Sequence, residues 1–237
     1  KYMVTFLAAI LFSGTGIAQT FNKAKMDSFF LALEQNNKAM GSICIHKDGK
    51  EIYSRSIGYS FLDQKKADAA TKYRIGSITK MFTATIIFQL IEEKKLSLDT
   101  RLDQFYPGLP NASKITISNL LNHRSGLHNF TDDPAYESYM TQPKSQKEIL
   151  EIITKGGTDF EPDSKGAYSN SNYVVLGYII EQLLKKPYAE VLKERITIKA
   201  GLKNTYYGSK ANADKNESLS YAYLGSWKPM PETHMSI

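Results

Sequence analysis

From Ser77 to Lys95 the chain reads Ser-Ile-Thr-Lys-Met-Phe-Thr-Ala-Thr-Ile-Ile-Phe-Gln-Leu-Ile-Glu-Glu-Lys-Lys, apolar almost without interruption until its last turn. Such a run is too long for a strand, and its closing lysines sit where the helix dipole favours cations, so it reads as a buried helix. Whatever fold the chain adopts must cover this helix. Two further helices are expected over 172–185 and 187–199, the second opened by Pro187. Another is expected over 21–39, where Met26, Phe29, Phe30 and Leu33 recur at helical spacing and define one buried stripe. Residues 42–47 and 50–54 are β-prone runs around Asp48-Gly49 and read as a hairpin. Residues 98–153, punctuated by Pro107, Pro110, Pro134 and Pro143, read as an irregular, mainly helical insert.

Composition narrows the class. Of 237 residues 42% are apolar, 11% aromatic and 23% charged, an average globular balance that excludes disordered, collagen-like and coiled-coil chains. The net charge of +6 comes from lysines dispersed singly or in pairs, so a nucleic-acid partner is not expected. The single cysteine, Cys44, can form no internal disulfide, and the absence of C-x-x-C and H-E-x-x-H argues against structural zinc. His46 is expected to face solvent from its strand. Residues Val4 to Phe12 are apolar, follow Lys1 and precede the small residues Gly16 and Ala18, so 1–18 reads as a secretory leader. That run is too short to span a bilayer, and Cys44 lies well away from it, so neither a membrane span nor a lipid anchor is expected. The mature chain is expected to be periplasmic or secreted. Both ends read as cut: there is no initiating Met, and His234-Met235-Ser236-Ile237 carries no helix stop.

Ser77-Ile78-Thr79-Lys80 is the single S-x-x-K of the chain. It puts a hydroxyl and an amine on one face at the head of a helix, whose N-terminus can stabilise developing negative charge. Serine becomes a nucleophile when a neighbour takes its proton, and lysine, alone or helped by a second base, can do so. Tyr168-Ser169-Asn170 lies just ahead of another apolar helix. A phenol aimed at Ser77 and Lys80 could exchange protons with them, and the asparagine could orient Lys80 while binding a substrate carbonyl. On spacing alone both motifs could equally be a helix cap with a solvated lysine and a turn aromatic. No serine sits in G-x-S-x-G, no Walker loop exists, and His123 and Ser125 share one tight turn that aims them poorly for proton transfer.

These segments together resemble the serine β-lactamase and penicillin-binding D-Ala-D-Ala peptidase superfamily, in its class-C β-lactamase-like branch. The resemblance runs through Tyr73-Arg74-Ile75-Gly76-Ser77-Ile78-Thr79-Lys80, Leu96-Ser97-Leu98-Asp99, Leu120-Leu121-Asn122-His123-Arg124-Ser125-Gly126-Leu127, Tyr168-Ser169-Asn170-Ser171-Asn172-Tyr173 and Ala200-Gly201-Leu202-Lys203-Asn204-Thr205. It implies an α/β (α+β) fold, an antiparallel sheet flanked by helices plus a mainly helical lobe. It implies Ser77 as acyl-accepting nucleophile, Lys80 as its proton partner, Tyr168 as general base and acid, and Asn170 as a substrate-binding residue. No cofactor is implied. Substrates would be D-Ala-D-Ala-type peptides, β-lactams or small acyl esters; a non-catalytic or slow penicillin-binding relative and a secreted adhesion module are the alternatives.

The expected division is a leader, 1–18, then one incomplete domain, 19–237: helix and hairpin over 19–76, helical lobe over 77–205, and the start of a return segment over 206–237. Ile198 to Leu202 replaces the family's usual Pro-Leu-Gly-Met, a surface-loop change. The family's third motif, a Lys or His followed by Ser/Thr and Gly on a strand edge, is absent from this chain, as is the second oxyanion donor. With one clear hairpin, the helix from Ser77 would keep an apolar face uncovered, and the natural protein is expected to continue past Ile237 for roughly another hundred residues.

Overall fold

The computed structural model describes residues 21–208 and 210–234. The leader assigned to 1–18 lies outside them. Helix α1 spans Lys23–Gln35, with the Asn22 side chain accepting the Lys25 N–H at its start. It lies on a hairpin of β1, Gly41–Lys47, and β2, Lys50–Ile57, antiparallel with a bulge between Ile45 and His46. Phe30 stacks on Tyr53, whose hydroxyl donates to Asp27, and Arg55 donates to the Asp27 carbonyl. No residue of α1 is buried. The expected stripe is therefore only half covered, because among the described residues the hairpin meets α1 on one side and Phe29 points away from it. His46 is exposed, as expected.

Two short antiparallel pairs follow that the sequence did not announce: β3, Tyr59–Phe61, with β4, Lys65–Lys66, and near the end β5, Tyr221–Tyr223, with β6, Trp227–Pro229. Each strand has three residues or fewer, too few to display an alternating pattern. The described residues thus hold three two-stranded sheets where one hairpin was expected. The closing segment returns to the front of the chain. The Lys72 N–H donates to the Asn216 carbonyl, the Ser218 N–H to the Lys72 carbonyl and the Leu219 N–H to that of Ser60, and the Trp227 indole donates to Asn37.

The helical lobe contains most of the core. Helix α2, Thr79–Glu92, buries Thr83, Ile86, Ile87 and Leu90, the spacing of a single face. Its other face leaves Met81 and Phe88 exposed (63% and 50%), as is Ile78 just before it (54%), the uncovered apolar face expected of the helix from Ser77. Helices α3, Ile117–Leu121, and α5, Gln146–Gly156, are each opened by a capping box, Thr116 with Asn119 and Ser145 with Glu148. Between them lies the short α4, Tyr136–Tyr139. Helix α6, Asn170–Leu184, runs through the centre, with every residue from Ser171 to Ile180 buried. Lys185, left-handed at φ 55°, ends it ahead of Pro187. The helix expected over 187–199 begins as α7, Tyr188–Leu192, and widens into a π-helical turn, Lys193–Thr197. No helix of the described residues is long and apolar enough to cross a membrane.

Candidate active site

Gly76 takes a left-handed conformation, φ 51°, that a side chain would resist, and turns the chain into the 3-10 turn Gly76–Ile78 that leads into α2. Ser77 thereby stands at the head of a helix, and Lys80 lies one turn on, its Nζ 3.2 Å from Ser77 Oγ. From across the cleft, the loop entering α6 brings the Tyr168 hydroxyl to 2.6 Å from Ser77 Oγ, and the first residue of α6, Asn170, accepts from Lys80 Nζ through Oδ1 at 2.8 Å. All four residues singled out from the sequence thus converge on one point, although some ninety positions separate the two motifs.

Asn170 cannot rotate freely. Its Nδ2 donates to Thr131 Oγ1 at 2.9 Å, its backbone N–H donates to Asn129 Oδ1 at 2.8 Å, and Thr131 donates to the same Asn129 oxygen at 3.1 Å. With Nδ2 committed, Oδ1 is the atom presented to Lys80. Burial acts to raise the Tyr168 pKa, but Lys80 beside it and the Ser77 hydroxyl outweigh that and bring it below the ordinary tyrosine value. Lys80 Nζ also stands 4.9 Å from the centre of the Tyr168 ring and 5.6 Å from that of Tyr173. A hydroxyl, an acidified phenol and an ammonium in mutual contact form a group between whose members a proton can be relayed.

Asn129 and Thr131 were not singled out from sequence, and neither was His123 as a neighbour of Tyr168; their ring centroids are 4.7 Å apart. Nothing in residue spacing announces these contacts, because the loops carrying 123–131 meet α6 only in the folded chain. Ser125 is buried and donates to Asn172 Oδ1 at 2.5 Å, so it is no partner for His123, in keeping with the poor aim expected of that pair.

The cluster opens into a cleft of about 750 Å³ walled by residues 72–78, by Phe130, Tyr136 and Val174, and by residues 204–208, Ala211 and 230–233 of the returning segment. Charged groups rim it: Arg74 Nη2 lies 3.7 Å from Glu232, and Lys72 lies beside Glu217. Among the described residues, one set of metal-ligating side chains lies close together, Cys44, His46 and Glu51, and it is exposed on the hairpin and not in this cleft.

The sequence model of the Beta-lactamase family matches residues 29–234. Penicillin-binding protein 4* of Bacillus subtilis (strain 168) is 28% identical over 213 residues, covering 86% of this chain and 46% of its own. Teichoic acid D-alanine hydrolase of Staphylococcus aureus is 28% identical over 190 residues, covering 80% and 46%. The chain spans about half the length of these curated relatives. Among solved structures, D-amino acid amidase from Ochrobactrum anthropi SV3 complexed with D-phenylalanine superposes with a TM-score of 0.70 at 29% identity, covering 83% of this chain and 56% of that one. The octameric penicillin-binding protein homologue from Pyrococcus abyssi superposes at 0.75 with 30% identity, covering 89% and 51%. Fold, motif order and the match across most of its length agree: this chain belongs to the Beta-lactamase family.

Proposed function

We propose that the protein is a serine hydrolase that forms an acyl-enzyme on Ser77. The observation that carries this reading is the contact of Ser77 Oγ with both Tyr168, at 2.6 Å, and Lys80, at 3.2 Å. In the ionised state that Lys80 favours, Tyr168 takes the Ser77 proton as Oγ bonds to the substrate carbonyl carbon. The carbonyl oxygen becomes an oxyanion, for which the Ser77 N–H at the helix head is one donor. Collapse expels the amine or alcohol, which receives the proton from Tyr168, and water then repeats the sequence in reverse to release the acid and free Ser77. Asn170 holds Lys80 and offers a contact to the substrate. The chemistry requires no cofactor.

The substrates proposed are amides and esters of D-alanine and related D-amino acids, including D-Ala-D-Ala peptides, with β-lactams as acylating analogues. Support comes from relatives whose names are D-amino acid amidase, teichoic acid D-alanine hydrolase and penicillin-binding protein. The partner is a small-molecule or peptide substrate and no nucleic acid, and the place of action is periplasmic or secreted. Within 19–237, residues 19–76, 77–205 and 206–237 are read as the hairpin part, the helical lobe and a return segment.

Steady-state rates on D-alaninamide, its L-enantiomer, a D-Ala-D-Ala peptide, a cephalosporin and a short acyl ester test the reading. Turnover of the D-amide at least about tenfold above the L-amide is expected, the discrimination a modest pocket can supply. No turnover of any of these, with Ser77 still acylated by penicillin, would instead identify a slow penicillin-binding relative.

A further inference from the structure

His123 touches the loop bearing Tyr168 at three separate atoms or groups. Its backbone carbonyl accepts the Ala167 N–H at 2.9 Å, its Nδ1 accepts the Ser169 N–H at 3.2 Å, and its ring packs against the Tyr168 ring at 4.7 Å between centroids. The residue before Tyr168, the residue after it and the phenol itself are thus all held by one side chain and its own carbonyl. A second donor, Asn172 Nδ2, approaches the same Nδ1 at 3.3 Å. Two donors converging on one ring nitrogen require that nitrogen to be unprotonated, which leaves the proton on Nε2.

The surroundings keep the ring in that state. Burial, and then the nearby charge of Lys80, hold the His123 pKa below its ordinary value. The groups packed around the ring are Tyr168, Tyr173 at 5.2 Å, and Asn172. Asn172 is itself fixed, fully buried and accepting from Ser125, whose Oγ also accepts the Leu127 N–H. His123 meanwhile adopts a left-handed backbone, φ 55°, a conformation uncommon outside glycine in which histidine, asparagine and aspartate are the side chains most often found. Residues 123–127 are therefore bound to the head of α6 by a closed set of hydrogen bonds. The phenol they brace, by contrast, is about half exposed at 52% and would otherwise be free to swing into the cleft.

We infer that His123 is a positioning residue that acts through Tyr168, with ring and acceptor nitrogen together holding the phenol within hydrogen-bond reach of Ser77. This rests on the reading of Tyr168 as the group that exchanges the Ser77 proton. His123 does not touch the reacting atoms, and its effect should therefore fall on the rate of acylation and not on substrate binding.

The test is a double-mutant cycle in the intact protein, read as kcat and KM on a substrate whose acylation limits turnover. His123→Ala should lower kcat by about tenfold to a hundredfold with KM within about threefold, the scale expected when a reacting group is misplaced by an ångström or less. His123→Asn should recover most of that loss, since its amide oxygen can take the place of Nδ1 and asparagine tolerates a left-handed backbone. In a Tyr168→Phe background His123→Ala should cost less than about twofold, because residues acting as a unit are not additive. Equal losses in both backgrounds, or a kcat unchanged by His123→Ala, would overturn the inference. If His123→Ala fails to fold, the same cycle with His123→Asn decides, its smaller loss disappearing in the Tyr168→Phe background if the inference holds and persisting if it fails. A Tyr168→Phe variant with the native kcat would instead overturn the reading of Tyr168 on which this rests.

Discussion

The helical lobe and the N-terminal hairpin differ sharply in how their apolar residues are used. Around α6, residues from α2, α3, α5 and α7 close on one another, and Ile86, Ile87, Leu90, Leu120, Ile153, Leu176 and Ile179 have no exposure at all. Between α1 and the β1–β2 hairpin only Tyr53 and Ile57 are buried, while Phe29 and Leu31 face outward. Each residue placed in the cluster, Ser77 and Lys80 from the head of α2 and Tyr168 and Asn170 from the head of α6, comes from the well-packed side. Precise placement of reacting groups needs a rigid scaffold, and the two helices that present them are packed together in the same core.

The contrast can be broken by substitution. Ile179→Ala, at the centre of α6, should destabilise the fold by about 2–5 kcal/mol, the transfer and cavity cost of a fully buried isoleucine, measured by denaturant unfolding. Glu93→Gln, at the end of α2, should cost no more than about 1 kcal/mol. Arg195 grips Glu93 with two hydrogen bonds, at 2.6 and 3.2 Å, and with Lys95 it holds the carboxyl down to about 2. A carboxyl whose folded pKa is depressed stabilises fully above its unfolded value and less as the pH falls toward the folded one. The Glu93→Gln difference should accordingly be present at pH 7 and fade between about pH 4.5 and about pH 2. Phe29→Ala should have the smallest effect, about 0.5 kcal/mol or less, as for other exposed positions. A Phe29 cost matching that of Ile179 would mean that α1 is covered in solution and would remove the contrast.

The helices from Ser77, from Asn172 and from Pro187 were legible as long apolar runs, although none opens with a side-chain cap; α3 and α5, which carry capping boxes, were read only as part of a mainly helical insert. The single S-x-x-K and the Tyr-x-Asn ahead of α6 marked the residues that meet in the cleft. Periodicity could not say how many faces of α2 are covered, since Met81 and Phe88 are as apolar as Ile87 yet lie exposed. Nor could it announce the short β3–β4 and β5–β6 pairs, or the polar contacts of His123, Asn129 and Thr131. Those contacts join residues about forty positions apart through single atoms, and their specificity is set by loop conformation, including the left-handed His123, and not by composition.

The central claim is that Ser77 is the atom acylated. Intact-mass and peptide mass spectrometry after treatment with a fluorescent penicillin or a fluorophosphonate measures this directly. One adduct per chain on the peptide bearing Ser77 is predicted, absent from Ser77→Ala, whose melting temperature and circular dichroism stay close to those of the native protein. Labelling that survives Ser77→Ala, or an adduct on any other serine, would contradict the account.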